Sequence, residues 1–536
     1  MDKRKETYLA RQARRLTTGE INRRRFIMSA LATGVSMPTA MSLAGRAEAQ
    51  TPKKGGVFRM AVGHGSTTDS LDPATTENDF GTTVNYSRGN CLTEVDKTGK
   101  LVPELAESYE SADAKTWVFN LRPGVEFHNG KTMTPEDVIA SINHHRGEDS
   151  KSAAKGLVSQ ITDIRKDGDN QVVFELEGAN ADFPFIMSDY HLLIMASADG
   201  SVDGQDPNGT GGYVVENFEP GVRATFNRHP NYFKEGAAHF DRFELLSILD
   251  VTARQNAVMN GDVDYSGDID PKTVALLGRV PTLEILTATG TQHYTFPMRL
   301  SVEPFGNYDL RMALKYAIKR QELDDKILLG YGQAGNDVPV NASMPFFNTE
   351  LPAHEFDPEK AAEHYAKSGH SGPIQLSAAD AAFAGAVDAA QLIAASAAEA
   401  GIEIEVVREP SDGYWSNVWN KKGWCACYWS GRPTQDWMYS SAYVAETEWN
   451  DTAWRDTEAA NRFNELVLMA RSETDEDERR KQYWEAQALL QNDGGAIVAM
   501  FASYISAHAK TLAHDEAVAA NWANDGNKAQ ERWWFA

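Results

Sequence analysis

The chain has 536 residues, of which 42% are hydrophobic and 24% charged, with a formal net charge of −24. A single core stops growing near ~250–300 residues, so two or three domains are expected. The acidity argues against nucleic acid or an anionic membrane as a partner, and no later run of about 20 apolar residues could span a bilayer.

The first fifty residues read as an export signal. A basic leader containing Lys3, Arg4, Lys5, Arg11, Arg14 and Arg15 precedes Asn22-Arg23-Arg24-Arg25-Phe26-Ile27-Met28. A mildly apolar run from Ile27 to about Ala44 follows, broken by Gly34 and Pro38, and ends near the small-x-small site Ala47-Glu48-Ala49. Basic, apolar and small-residue regions in that order describe a secretory signal peptide, and the adjacent arginines point to twin-arginine export. Cleavage after about Ala49 is expected. The first cysteine is Cys91, so no lipid anchor on a new N-terminal cysteine is expected, and the mature protein would be free in the periplasm. Residues 1–49 hold ten Lys/Arg and four Asp/Glu, which leaves the mature part at −30.

Beyond the signal, short β-like runs alternate with helical patterns, as in layered α/β proteins. Strands are predicted at 56–62, Thr116–Leu121 and Gln171–Leu176, and the period-2 spacing of Trp117, Phe119 and Leu121 places them on one buried face. Thr134-Pro135-Glu136-Asp137 opens a helix, with Thr as cap, Pro in the first turn and acids at the N-terminus. Amphipathic helices are predicted from Leu310 to about Leu328, from Asp357 to Gly369, and over the Ala-rich stretch 378–400. A strand at 402–407 follows Gly401. The acid run Asp475–Glu478 begins a solvated helix.

Catalytic signatures are missing. His354-Glu355 is followed by Pro358 where a HExxH motif needs its second histidine, and His144 and His145 are adjacent and diverge on a helix. No GxSxG elbow occurs. Gly130-Lys131-Thr132 lacks the earlier glycine of a phosphate loop, where Val125 stands, and Gly209-Thr210-Gly211-Gly212 has no following lysine, so both read as turns. Asp262-Val263-Asp264-Tyr265-Ser266-Gly267 faintly echoes a calcium loop but has Thr273 at the twelfth position. No cofactor and no metal site are expected. Cys425 and Cys427 are one residue apart, a poor fit to bridge geometry, and with Cys91 read as small buried hydrophobes.

From Leu101 to His144 the pattern becomes specific. Pro103-Glu104-Leu105-Ala106-Glu107-Ser108-Tyr109-Glu110 is followed by Thr116-Trp117-Val118-Phe119-Asn120-Leu121-Arg122-Pro123-Gly124-Val125-Glu126-Phe127-His128-Asn129-Gly130 and Thr134-Pro135-Glu136-Asp137-Val138. This resembles the hallmark of extracellular solute-binding protein family 5, the peptide, nickel and opine receptors of ABC importers. Other blocks agree in order: Ser70-Leu71-Asp72-Pro73, Gly209–Tyr213 with Arg228–Phe233, Asp309–Leu314, Phe356–Ala361 and Arg532–Phe535. The resemblance covers essentially all of the mature chain. It implies an α/β, two-lobed periplasmic-binding-protein fold with a hinge and an extra domain inserted in lobe I. Lobe I would comprise 50–98, 209–300 and 500–536, the insertion 99–208 and lobe II 301–499. It further implies a non-enzymatic, monomeric receptor that holds a small-molecule ligand between the lobes and passes it to an inner-membrane ABC permease. A di- or oligopeptide receptor is the alternative within that class, and a secreted enzyme or an adaptor on the same scaffold are the alternatives outside it.

In the family's peptide receptors a Trp-x-x-Asp segment supplies the carboxylate for the peptide amine. The matching stretch is Trp429-Ser430-Gly431-Arg432-Pro433-Thr434-Gln435-Asp436-Trp437, with Arg432 at the position of that Asp. A guanidinium there suits a carboxylate-bearing ligand, whereas Asp436 would hold an amine, and a local salt bridge between Arg432 and Asp436 or another acid is the structural alternative. Thr76, Glu77, Asp79 and Phe80 form a second candidate set in the early loop. Trp429, Trp437 and Tyr439 could wall the pocket or pack in a core, and Tyr190 and His191 lie in a segment that could face it.

Overall fold

The computed structural model describes residues 52–410, 414–447 and 449–536, together with parts of 8–41. Within the leading segment, Asn22 caps a helix, Arg23–Ala32, by accepting from the Arg25 amide at 3.0 Å. The Ala47-Glu48-Ala49 site lies outside the described residues. Among the described residues no helix is long and apolar enough to cross a membrane.

A nine-stranded sheet runs through the molecule. Its strands lie in the order Tyr213–Glu219, Arg223–Arg228, Arg242–Ser247, Val57–Val62, Tyr265–Ser266, Val498–Ala509, Leu283–Thr295 and Cys427–Trp429, with Gly332–Ala334 also paired to Val498–Ala509. Val57–Val62 is parallel to both of its neighbours. The two long strands are antiparallel, and their register breaks in the middle. Thr289 pairs with Ser503 while His293 pairs with Phe501, so Gly290–Gln292 bulge against Ala502 alone. On one side of the bulge Ser266 pairs with Ala507, and on the other Trp429 pairs with His293 and Ala334 with Met500.

The cores divide at the same place. Phe58, Val84, Phe226, Phe243 and Trp533 pack together on the Val57–Val62 side, whereas Phe296, Leu314, Leu376, Ile393 and Trp424 form a core beyond the bulge. A third core belongs to a separate four-stranded antiparallel sheet, ordered Ala106–Glu110, Thr116–Leu121, Gln171–Leu176 and Ile161–Lys166. Trp117, Phe119 and Leu121 are its buried stripe, as the alternation predicts. Thr134 and Asp137 form a reciprocal capping box on the helix Pro135–His144 beside it. His144 and His145 do diverge: His144 Nε2 lies 2.9 Å from Asp72 Oδ1, and His145 Nδ1 lies 2.7 Å from Ser152 Oγ.

Two predicted helices are shorter than expected. The 310–328 pattern forms Tyr308–Tyr316, breaks at Ala317–Lys319, and resumes as Arg320–Leu323 and one π turn, Asp324–Leu328. The break lets buried Arg320 reach both oxygens of Asp337 at 2.8 Å and the His354 carbonyl oxygen at 2.7 Å. Burial alone would raise the Asp337 carboxyl, but Arg320 and His354 more than offset it and hold it at about 2. The Ala-rich stretch is helical only over Ala386–Ala398. Its first residues finish the strand Ile374–Ala378 and then turn through Gly385 at φ 82°.

The C-terminus is pinned by buried charge. Lys234 Nζ lies 2.6 Å from Glu104 and 2.8 Å from both Glu94 and Glu531, and Lys528 Nζ lies 2.7 Å from Glu104. Glu104 also accepts from Asn90 Nδ2 and the Cys91 amide, each at 2.9 Å. A buried pair contributes little against a well-packed apolar substitute, but removing one member leaves its partners uncompensated. Glu104→Gln is therefore expected to cost roughly 3–5 kcal/mol in chemical denaturation of the mature chain; a loss below about 1 kcal/mol would show that water already solvates this network.

Candidate ligand-binding cleft

A cavity of about 460 Å³ opens where the long sheet breaks, a size suited to a small organic solute. One wall comes from the Val57–Val62 side: His64, Glu77, Asn78, Asp79, Asp268 and Asp270. Across it stand Tyr294, Tyr331, Ala381–Ala384 and Tyr428, and Tyr504 and Trp522 close the base. The sheet explains the first wall. His64 and Asp268 each lie two residues beyond the carboxyl ends of the parallel neighbours Val57–Val62 and Tyr265–Ser266, where open α/β sheets place their ligands. Asp79 is the first residue of the helix Asp79–Arg88, which Asn78 caps by accepting from the Gly81 amide at 3.0 Å.

These side chains form an acidic pole. His64 Nδ1 lies 3.4 Å from Asp79 Oδ2 and 3.9 Å from Asp268 Oδ2. Asp268 sits in the left-handed backbone region at φ 51° and accepts from the Gly63 amide at 3.2 Å. Arg254 holds that turn: its guanidinium donates to the carbonyl oxygens of Gly267 at 3.1 Å, Asp268 at 2.8 Å and Ile248 at 2.6 Å. These donors are thus spent on the backbone. The opposite wall is aromatic, with Tyr294 and Phe383 rings stacked at 4.1 Å and 6°.

Of the residues singled out from sequence, Glu77 and Asp79 line this cavity. Thr76 and His191 stand behind them, where His191 Nε2 donates to the Thr76 carbonyl oxygen at 2.9 Å and Nδ1 lies 2.5 Å from Asp189. Tyr190 packs on Trp522 at 5.4 Å and Trp437 on the same ring at 6.5 Å, so both support a lining residue. Phe80 is fully buried in the first core, stacked with Phe218. Tyr439 is likewise a core residue.

Of the Trp429–Trp437 segment, Ser430 lines the cavity. Arg432 turns back on its own loop, donating to the carbonyl oxygens of Ser430 at 3.2 Å and Gly431 at 3.1 Å, with its guanidinium carbon 6.0 Å from the centre of the Trp437 ring. Asp436 is buried and paired with Arg471 at 2.9 Å rather than with Arg432. Trp429 is buried and donates to Asp451 at 3.2 Å; burial pushes that carboxyl up to about 6, against the pull of the Trp419 and Trp429 donors. The three cysteines are buried and free, and burial raises their thiols.

Sequence reading missed His64, Asp268, Tyr294, Phe383 and Trp522. The usable signal was the pair of parallel strand ends at 62 and 266, visible only once the strands are known to be neighbours. The hydrogen bond to Asp79 raises the His64 imidazole from 6.5 to about 9, with the field of Asp268 adding to it against burial. Its folded value exceeds its unfolded one, so its contribution to stability is complete below about pH 6.5 and lost as pH rises through about 9. In Asp79→Asn the ring should titrate closer to 6.5 by NMR; a ring still titrating near 9 would show that Asp79 does not set it.

The fold and sequence have close counterparts. The glutathione-binding protein GsiB of Salmonella typhi is 23% identical over 471 residues, covering 84% of this chain and 91% of that protein. The PBP AgaA from A.tumefacien R10, solved with agropinic acid, superposes with a TM-score of 0.75 at 22% identity, covering 90% of this chain and 99% of that one. NikZ from Campylobacter jejuni, solved with Ni(L-His), gives 0.77 at 18% identity, covering 89% and 99%. The architecture is the two-lobed periplasmic binding fold that these structures share. Residues 100–451 match the model of the bacterial extracellular solute-binding proteins, family 5 Middle, and the chain belongs to that family of solute receptors.

Proposed function

We propose that this chain is the periplasmic solute-binding component of an ABC importer, which captures a small polar solute between its lobes and delivers it to an inner-membrane permease. The observation that carries the reading is the cavity at the break of the shared sheet, walled from both lobes. Similar proteins support it, being named for glutathione or solved with agropinic acid or Ni(L-His). In this reading 50–98, 209–300 and 500–536 form lobe I, 99–208 the inserted domain and 301–499 lobe II. Residues 1–49 direct twin-arginine export and are removed after about Ala49, leaving a monomer without a lipid anchor and without a nucleic-acid partner. Its chemistry is that of a receptor and not a catalyst: carboxylates, rings and backbone groups hold the solute.

In this reading the inserted domain also touches lobe II. Arg479 lies 2.7 Å from Asp182, and the Ala181 amide donates to the Arg471 carbonyl oxygen at 2.7 Å. A ligand can favour the closed state only by binding it better than the open one. A di- or oligopeptide receptor is a second reading, favoured by Glu77 and Asp79 in the cavity, which could take a peptide's α-amine.

A thermal-shift screen of the mature protein against dipeptides, opines, organic acids, amines and metal–amino-acid complexes tests the receptor reading. A ligand at 100 times its Kd stabilises by about 2.7 kcal/mol, so a clear rise in melting temperature is expected with one chemical class, diminished in the Glu77→Gln/Asp79→Asn double variant. A screen without any stabilising solute contradicts the proposal.

A further inference from the structure

We infer that the group this cleft selects is a cation: the ligand is an organic amine or guanidine with a compact apolar or planar body, its charge seated between Asp79 and Asp268. The inference rests on the receptor reading above and names the substrate class of that same cleft.

The charge balance of the walls carries it. Four carboxylates line the cavity (Glu77, Asp79, Asp268 and Asp270), against one guanidinium and one imidazole, and no lysine lines it among the described residues. The guanidinium of Arg254 is committed to backbone carbonyls. Arg432, the residue from which an anionic ligand was expected, is turned onto Ser430 and Gly431. A ligand carboxylate would therefore meet four carboxylates against the two cationic groups Arg254 and His64, a net like charge that disfavours it. A ligand ammonium finds the reverse. Asp79 and Asp268 already flank a positively polarised group, the half-exposed His64 ring, at 3.4 and 3.9 Å. The raised proton affinity of that ring is a second sign that a cation is favoured there. Charge-assisted hydrogen bonds from an ammonium or guanidinium to these carboxylates would be among the stronger polar contacts available.

The far wall sets the rest of the molecule. The stacked Tyr294–Phe383 pair, Tyr331, Tyr428 and the methyl groups of Ala381–Ala384 offer apolar and aromatic area. That surface accommodates a ring or short aliphatic chain, and among the described residues no Lys or Arg belongs to it.

Isothermal titration calorimetry with solutes of matched body and opposite charge tests this. Tyramine, agmatine and cadaverine are compared with 4-hydroxyphenylacetate and glutarate, with tyrosine as the zwitterion and nickel chloride as the bare metal. The expected result is binding by at least one amine, no binding by the carboxylates, and a loss of about tenfold or more in affinity in Asp79→Asn and in Asp268→Asn. Circular dichroism and an unchanged melting profile of the unliganded variants would show that they fold. Tighter binding of a carboxylate or of tyrosine overturns the cation assignment and leaves the receptor reading in place. Amine binding that survives both substitutions overturns the seat assigned to the charge. Nickel binding that is lost in His64→Ala, with no amine bound, would make the pole a metal site instead. Failure of every solute to bind counts against the receptor reading as well as the cation assignment.

Discussion

The structure depends on one pair of strands. Leu283–Thr295 and Val498–Ala509 each run past the point where the cores part, so a continuous ladder joins two separate cores. Continuity alone would make a rigid plate. The bulge at Gly290–Gln292 interrupts the ladder where the cores part, and bulges re-aim a strand at the cost of local pairing. The residues there are fitted to a crowded crossing. A Cβ at Gly290 would collide with the Ala520 carbonyl oxygen, and one at Gly431 would lie 2.5 Å from Thr291 Oγ1 and 2.9 Å from the Asn521 carbonyl oxygen. The cleft opens beside this crossing, where the ladder joins two cores that are otherwise largely separate.

The same separation explains how polar groups are distributed. Buried charge is paired where it ties segments far apart in sequence, as in the Glu94–Glu104–Lys234–Lys528–Glu531 group and the Arg320–Asp337–His354 set. Such networks fix geometry more than they add stability. In the cleft four carboxylates, Glu77, Asp79, Asp268 and Asp270, face one guanidinium and one imidazole.

What was legible in the sequence follows from the range of each interaction. The capping box of Thr134 and Asp137, the Asp357 cap and the alternating Trp117-x-Phe119-x-Leu121 strand depend on near neighbours, and the structure has them where the pattern placed them. The break at Ala317 depends on Arg320 reaching Asp337, and the late start of the Ala386 helix on a strand paired with Ile404–Arg408; neither partner is local. The site obeys the same rule. Glu77 and Asp79 belong to a short contiguous loop and could be singled out. His64 and Asp268 come together through a parallel pairing between strands some two hundred residues apart. Arg432 was chosen by its type, and its Nη1 donates to two carbonyl oxygens on its own loop.

Inter-lobe distance tests the central claim most directly, because it reads closure about the bulge without assuming which solute is bound. Dyes or spin labels on cysteines introduced at exposed Val222 and exposed Leu468 lie on opposite lobes, and the three native thiols are buried. Every solute that raises the melting temperature of the mature protein should shorten that distance. A solute that stabilises the protein and leaves the distance unchanged would contradict the account, since it would bind without drawing the lobes together around it.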